Sequence, residues 1–142
     1  MWNFQRRTIA AAFLAGVAAV SGGLGGLGLV RADDEIPNTN PLSGNQKAIR
    51  EGKSWFRGVC AVCHGGRADG QGERGNGADL RKFNKGFREF VVTVKNGREV
   101  QGRIQNMPAW GAVLKDEQLY QIGAYLETLA IEGANWREGV HN

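Results

Sequence analysis

The 142-residue chain carries 18 Lys+Arg against 14 Asp+Glu, with 22 glycines, two cysteines and two histidines, a length that fits one domain with a limited core of its own. Its net charge of +4 is concentrated at one end: without Arg6, Arg7 and Arg31, the rest has 15 basic and 14 acidic residues. That near balance excludes a nucleic-acid binder built on a basic domain or stripe.

Residues 1–32 read as an export signal. Arg6 and Arg7 form a positive n-region, Ile9 to Val20 an apolar h-region, and Val30-Arg31-Ala32 a small-residue cleavage site, so the mature chain is expected to begin at Asp33. Thr8 to Val30 is 23 residues without a charge, which also admits an uncleaved membrane anchor. Six glycines in that stretch weaken a stable spanning helix. A membrane association is expected only if this segment stays on the chain.

Residues 33–42, with Pro37, Pro41 and three acids, read as an irregular lead-in. Ser43 and Gln46 then form an S-x-x-Q capping box that opens a helix. On that helix Ile49, Gly52, Phe56 and Val59 share one face. A glycine inside an apolar stripe costs roughly 1 kcal/mol of helix propensity, so Gly52 is expected to permit close approach of another helix.

The helix runs into Cys60-Ala61-Val62-Cys63-His64. C-x-x-C-H is the pattern of c-type haem attachment: two thiols add to the two porphyrin vinyl groups and the adjacent imidazole reaches the iron. A structural zinc site would need four ligands in two spaced pairs, and the chain has no third cysteine and only His141 besides His64. A redox dithiol would need a strand before the motif, where the pattern is helical. With both cysteines used by the haem, none remains for a disulfide.

Gly65 to Gly77 holds six glycines in 13 residues and reads as a loop beside the haem. Gly70, Gly72 and Gly75 make a formal G-x-G-x-x-G, but the dinucleotide reading requires a preceding strand and a following helix. Phe87, Phe90, Val91 and Val94 mark a short helix stopped by Asn96-Gly97. Asn106-Met107-Pro108-Ala109-Trp110 reads as a loop in extended backbone before Pro108. Asp116 is expected to cap a last helix with Leu119, Ile122, Leu126 and Leu129 on one face, and Gly133 to end it. Residues 134–142 read as a polar tail.

The second axial position of the iron has few candidates. Met107 is the only methionine outside the leader and stands 43 residues after His64, while His141 lies at the end of the chain. The plain alternative is that Met107 is a flexible core filler, as most methionines are. Arg67, Arg74 and Arg103 are candidate partners for the haem propionates, and Trp110 is a candidate donor to them or a packing residue.

From about Ala48 to Ala130 the chain resembles a class I c-type cytochrome. The resemblance rests on Gly52, Phe56, Cys60, Cys63, His64, Met107, Pro108 and Ile122-Gly123-Ala124-Tyr125-Leu126. It implies an all-α fold of three or more helices around one covalent haem c over residues 43–133, with Gly52 and Phe56 meeting Ile122 and Tyr125 where the first and last helices cross. It implies Cys60 and Cys63 as thioether residues and His64 and Met107 as axial iron ligands. Many such proteins carry G-P-x-L after the motif, the proline carbonyl accepting from the proximal histidine; here the run is Gly77-Ala78-Asp79-Leu80, and the Ala78 carbonyl is the expected substitute.

The function so implied is that of a periplasmic one-electron carrier and not an enzyme. The lead-in, the glycine loop and the Met-Pro-Ala-Trp strap look like those of cytochromes serving periplasmic quinoprotein methanol or alcohol dehydrogenases, with a terminal oxidase or another cytochrome as acceptor. The alternatives are a haem-bearing subunit of a larger membrane-associated dehydrogenase or oxidase, and a haem peroxidase, which would need an exchangeable sixth position.

Overall fold

Asn45 starts the first helix, and the reason is local chemistry. Its backbone is extended and its side-chain oxygen accepts from the N–H groups of Lys47 and Ala48, each at 3.0 Å, which opens α1 (Gln46–Trp55). The expected Ser43 cap is displaced because asparagine caps at least as well; the Ser43 hydroxyl donates instead to the Glu127 carboxylate. The computed structural model describes residues 35–75, 77–102 and 106–137. The leader 1–32, Arg103 and His141 therefore lie outside the described residues.

α1 passes without a break into a π-helical stretch, Phe56–Cys60, and then α2 (Ala61–His64). Here the Ala61 N–H reaches back five residues to the Phe56 carbonyl. That widened turn shifts the stripe by one position. Cys60 rather than Val59 packs against the core, which is how such an insertion re-aims a side chain at a functional site.

α3 (Gly86–Asn96) forms as its pattern predicts, with Phe87, Phe90, Val91 and Val94 all buried. Gly97 ends it with φ at +72°, a value that favours glycine. α4 (Asp116–Glu127) differs at both ends from expectation. Asp116 sits in the first turn, paired with Lys95 at 2.6 Å, and the Gln118 side chain accepts from the Lys115 N–H at 2.8 Å. The helix stops at Glu127, where the Thr128 hydroxyl takes the Tyr125 carbonyl at 2.6 Å, and Gly133 serves a later turn.

The expected crossing of the first and last helices is present. A Cβ on Gly52 would lie 1.8 Å from the Gln121 carbonyl oxygen of α4, and the Phe56 and Tyr125 rings meet with centroids 5.6 Å apart. The lead-in contributes too: Asn40, 7% exposed, donates to the Tyr120 carbonyl at 2.9 Å and so fastens to α4. Among the described residues there is no strand; the one isolated antiparallel bridge joins Arg98 and Met107. The architecture is the all-α, cytochrome c-like one that the sequence implied.

The segment expected to begin a polar tail is instead docked over its first residues. Ile131 N–H donates to the Arg81 carbonyl and Asn135 N–H to that of Phe83, while the Asn135 carbonyl accepts from Gly86 N–H, at 3.0, 2.9 and 3.1 Å. This ribbon buries Trp136 against Phe83 and Phe90, with centroids 4.9 and 5.3 Å apart. The polar composition of 134–142 hid a single aromatic that outweighs its neighbours.

Candidate functional site

An apolar cleft lies among the helices. Phe56, Leu80, Phe83, Phe90, Ile122 and Leu126 wall it, and Cys60, His64 and Met107 line it with them. Three groups that bind metal or porphyrin therefore reach one apolar space, Cys60 and His64 from one helical stretch and Met107 from the strap. Cys63 sits one helical turn beyond Cys60, half-buried, and both thiols are free.

The loop after the motif is built against α2. The last turn of a helix leaves its carbonyls without intrahelical partners, and here Arg74, Gly77 and Gly70 N–H groups donate to the Val62, Cys63 and His64 carbonyls at 2.9, 3.2 and 2.8 Å. The glycines let the loop come this close: a Cβ on Gly77 would stand 2.3 Å from the Cys63 oxygen. The G-x-G-x-x-G match is thus part of a cap on a haem-motif helix, with no strand before it.

This loop also carries Ala78, whose carbonyl oxygen lies 3.0 Å from His64 Nδ1. A carbonyl only accepts, so the contact requires the proton on Nδ1 and leaves the Nε2 lone pair free for a metal. The departure from G-P-x-L is harmless, since the backbone oxygen does the work. Asp79 follows, caps the 3-10 turn Leu80–Lys82 and holds the Arg81 guanidinium at 2.9 and 2.8 Å. Those guanidinium hydrogen bonds hold the Asp79 carboxyl below its ordinary range.

On the other side, Met107 is placed by backbone. Its N–H and carbonyl exchange hydrogen bonds with Arg98 at 3.0 and 2.9 Å, and Trp110 and Gly111 N–H groups donate to the Val94 and Lys95 carbonyls at the end of α3, at 2.9 and 3.1 Å. Gly97 has to be glycine because the strap crosses it: a Cβ there would lie 2.6 Å from the Met107 oxygen. The Asn106 side chain accepts from Val100 N–H at 3.1 Å and so braces this loop. Trp110 is half-buried against the core.

Of the expected propionate partners, Arg67 is exposed and paired with Asp69 at 3.2 Å, Arg74 is exposed, and neither lines the cleft. Phe83 and Trp136 are the residues that sequence reasoning passed over; neither belongs to a periodic stripe.

The residues present fit a covalently held haem c. Burial, and secondarily the neighbouring Cys63, push the Cys60 thiol up to about 12, so it is no ready nucleophile for dithiol exchange. Among the described residues no cluster of three or more His, Cys, Asp or Glu side chains offers a metal-ion cage. An apolar slot with a histidine on one wall and a methionine on another suits a flat, largely apolar macrocycle with iron at its centre.

Known proteins agree. Residues 47–126, more than half of the chain, match the family described as cytochrome C oxidase, cbb3-type, subunit III. The chain is 30% identical over 130 residues to the cbb3-type cytochrome c oxidase subunit FixP of Sinorhizobium medicae (strain WSM419), covering 88% of this chain and 44% of that protein. It thus spans less than half the length of this curated relative. Its fold is similar to that of cytochrome CL from the marine methylotrophic bacterium Methylophaga aminisulfidivorans MPT, with a TM-score of 0.51, 18% identity and 73% of each chain covered.

Fold and motif together define a c-type cytochrome, an electron-transfer protein whose cofactor is a covalent haem c with its iron. The chain belongs to the cbb3-type cytochrome c oxidase subunit III family. Among the described residues no helix is long and apolar enough to cross a membrane.

Proposed function

We propose that the chain is a periplasmic one-electron carrier in which Cys60 and Cys63 form the thioethers and His64 and Met107 take the two axial positions of the iron. The observation that carries this reading is the convergence of Cys60, His64 and Met107 on one apolar cleft. When bound, the haem supplies a one-electron iron couple whose potential methionine–histidine ligation raises. The Ala78 carbonyl fixes the His64 ring, the Arg98 bridge fixes the Met107 backbone, and the aromatic walls exclude water. With both axial positions filled by side chains, no place is left for oxygen or peroxide, which favours electron transfer over a peroxidase reading.

Residues 1–32 act as the export signal, 33–42 as the lead-in and 43–133 as the haem domain, onto which the ribbon through Trp136 docks. Electrons come from a periplasmic dehydrogenase, a methanol or alcohol dehydrogenase being the candidate, and pass to a terminal oxidase or another cytochrome. The family match and the likeness to an oxidase subunit favour a second reading, a haem-bearing subunit of a larger oxidase. Co-purification with retention of the N-terminal segment distinguishes the two.

The test is intact mass of protein made in a host with haem-attachment machinery. The expected mass is that of a chain starting at Asp33 plus one haem that survives acid-acetone extraction, and a Cys60→Ser, Cys63→Ser chain is expected to carry none. Haem that extracts cleanly from the unsubstituted protein would end this reading.

Charge along residues 81–103 bears on the partner. Arg81, Lys82, Lys85, Arg88, Lys95, Arg98 and Arg103 stand within 23 residues against Glu89 and Glu99. Three of the seven are paired, Arg81 with Asp79, Arg88 with Glu35 and Lys95 with Asp116, which reduces the field of the segment. Among the described residues Lys82, Lys85 and Arg98 are exposed outside these pairs, and the two lysines stand together ahead of α3. Reversing both to Glu is expected to slow electron transfer with an acidic partner by about threefold to tenfold at low ionic strength and to flatten its salt dependence. A stopped-flow rate unmoved by both salt and substitution would place docking elsewhere.

A further inference from the structure

The hydrogen bond between His64 Nδ1 and the Ala78 carbonyl, at 3.0 Å, depends for its strength on how one peptide plane, that of Ala78–Asp79, is turned. The flanks of that plane are tied down. Gly77 N–H donates to the Cys63 carbonyl at 3.2 Å and Leu80 N–H to the Ala68 carbonyl at 2.8 Å. Between them, nothing among the described residues accepts from the N–H of Ala78 or of Asp79, so the backbone alone leaves two residues free to swivel.

The Asp79 side chain closes that gap. Its Oδ1 accepts from the Arg81 backbone N–H at 3.1 Å and from Arg81 Nε at 2.9 Å, and its Oδ2 accepts from Arg81 Nη2 at 2.8 Å. Two parallel bonds between a guanidinium and a carboxylate fix orientation as well as distance. Arg81 is fastened in turn, because its carbonyl accepts from Ile131 N–H at 3.0 Å. With the Asp79 and Arg81 side chains only 25% and 33% exposed, this is a partly buried clamp.

We infer that Asp79 and Arg81 are positioning residues for the iron ligand: their clamp holds the Ala78–Asp79 peptide plane so that its carbonyl stays aimed at His64 Nδ1. The inference rests on His64 as an axial ligand. An acceptor well aimed at the far N–H of a ligating histidine raises the basicity of the ligand. A more basic ligand favours the more highly charged ferric iron, so the clamp holds the reduction potential down, against the upward pull of a methionine on the other face.

The experiment compares Asp79→Ala with the parent holoprotein in two readouts, the reduction potential and, by NMR of the reduced protein, solvent exchange of the His64 ring N–H. At a fixed electrode potential the ferrous-to-ferric ratio is expected to rise about threefold to tenfold, which at about 59 mV per decade for one electron is about 30–60 mV. The ring N–H is expected to exchange faster. Adding Ala78→Pro, the residue of the G-P-x-L pattern, presets φ beside the same carbonyl by a ring instead of a clamp and is expected to return at least half of the shift. An Asp79 that serves only the stability of its turn would lower Tm and leave potential and exchange unmoved, which would overturn the inference. So would a shift that the proline does not reduce. If Asp79→Ala does not fold, Arg81→Gln, which keeps the Asp79 cap on the backbone, decides by the same two readouts. Failure of the proposed function is a separate result, seen in the parent as a missing haem mass or a spectrum without histidine ligation, and it would take this inference with it.

Discussion

Replacing Met107 by alanine in the holoprotein is expected to leave the helices in place and to change the iron site. Met107 is half-buried, and its position is held by backbone bonds to Arg98 that any residue can make, so the stability cost should be about 1–2 kcal/mol, below that of a fully buried methionine. The ferric protein should lose the weak near-infrared band of sulfur-to-iron ligation and bind cyanide or imidazole readily. The potential should fall by something on the order of 0.1–0.3 V, well within the roughly 0.8 V that axial ligands command. A variant with the parent spectrum and no affinity for cyanide would return Met107 to the core as a filler.

The second large effect is expected at the helix crossing. In Gly52→Ala the new methyl meets backbone, the Gln121 carbonyl at 1.8 Å, and backbone cannot swing aside as a side chain can. α1 and α4 must separate, which loosens Phe56 from Tyr125. Overpacking of this kind typically costs 1–3 kcal/mol; here about 3 kcal/mol is expected, after the gain of up to about 1 kcal/mol in helix propensity. For a domain of this size that lowers Tm by roughly 12–20 °C. Gly58 is the control, because a Cβ there meets nothing within 4 Å, and Gly58→Ala is expected to change stability by less than about 1 kcal/mol. Equal Tm values for the two variants would show that Gly52 is not the point of closest approach.

Much of this was legible beforehand because it depends on short-range rules. Phe87, Phe90, Val91 and Val94 repeat at helical spacing and are buried together, and Gly52 in an apolar stripe announced a close crossing. The substitute for the proline carbonyl was legible too, since only a backbone oxygen is required, and His64 does meet Ala78. What stayed hidden has a physical cause in each case. The π turn at Phe56–Cys60 has no composition of its own, so the expected stripe pointed to Val59 where Cys60 packs. Asn45 and Ser43 are both good caps two residues apart, and the partner that takes up Ser43, Glu127, is far away in the chain. The role of Trp136 depends on a ribbon pairing with residues 81–86, more than 40 positions away, which no local pattern records.

The crossing of α1 and α4 also sets an order in time. Gly52 and Gln121 are 69 positions apart, and bringing such a pair together costs about 4 kcal/mol of loop-closure entropy before any contact repays it. A chain emerging from its N-terminus presents α1 and the C-x-x-C-H run long before the helix that will cover Gly52 exists. Until residues beyond Gln121 appear, that run belongs to an open, unfolded stretch in which both thiols are accessible from all sides. The interval during which haem can be attached is therefore timed by the arrival of the last helix, and slower delivery of the C-terminal third would lengthen it without altering a single contact of the finished protein.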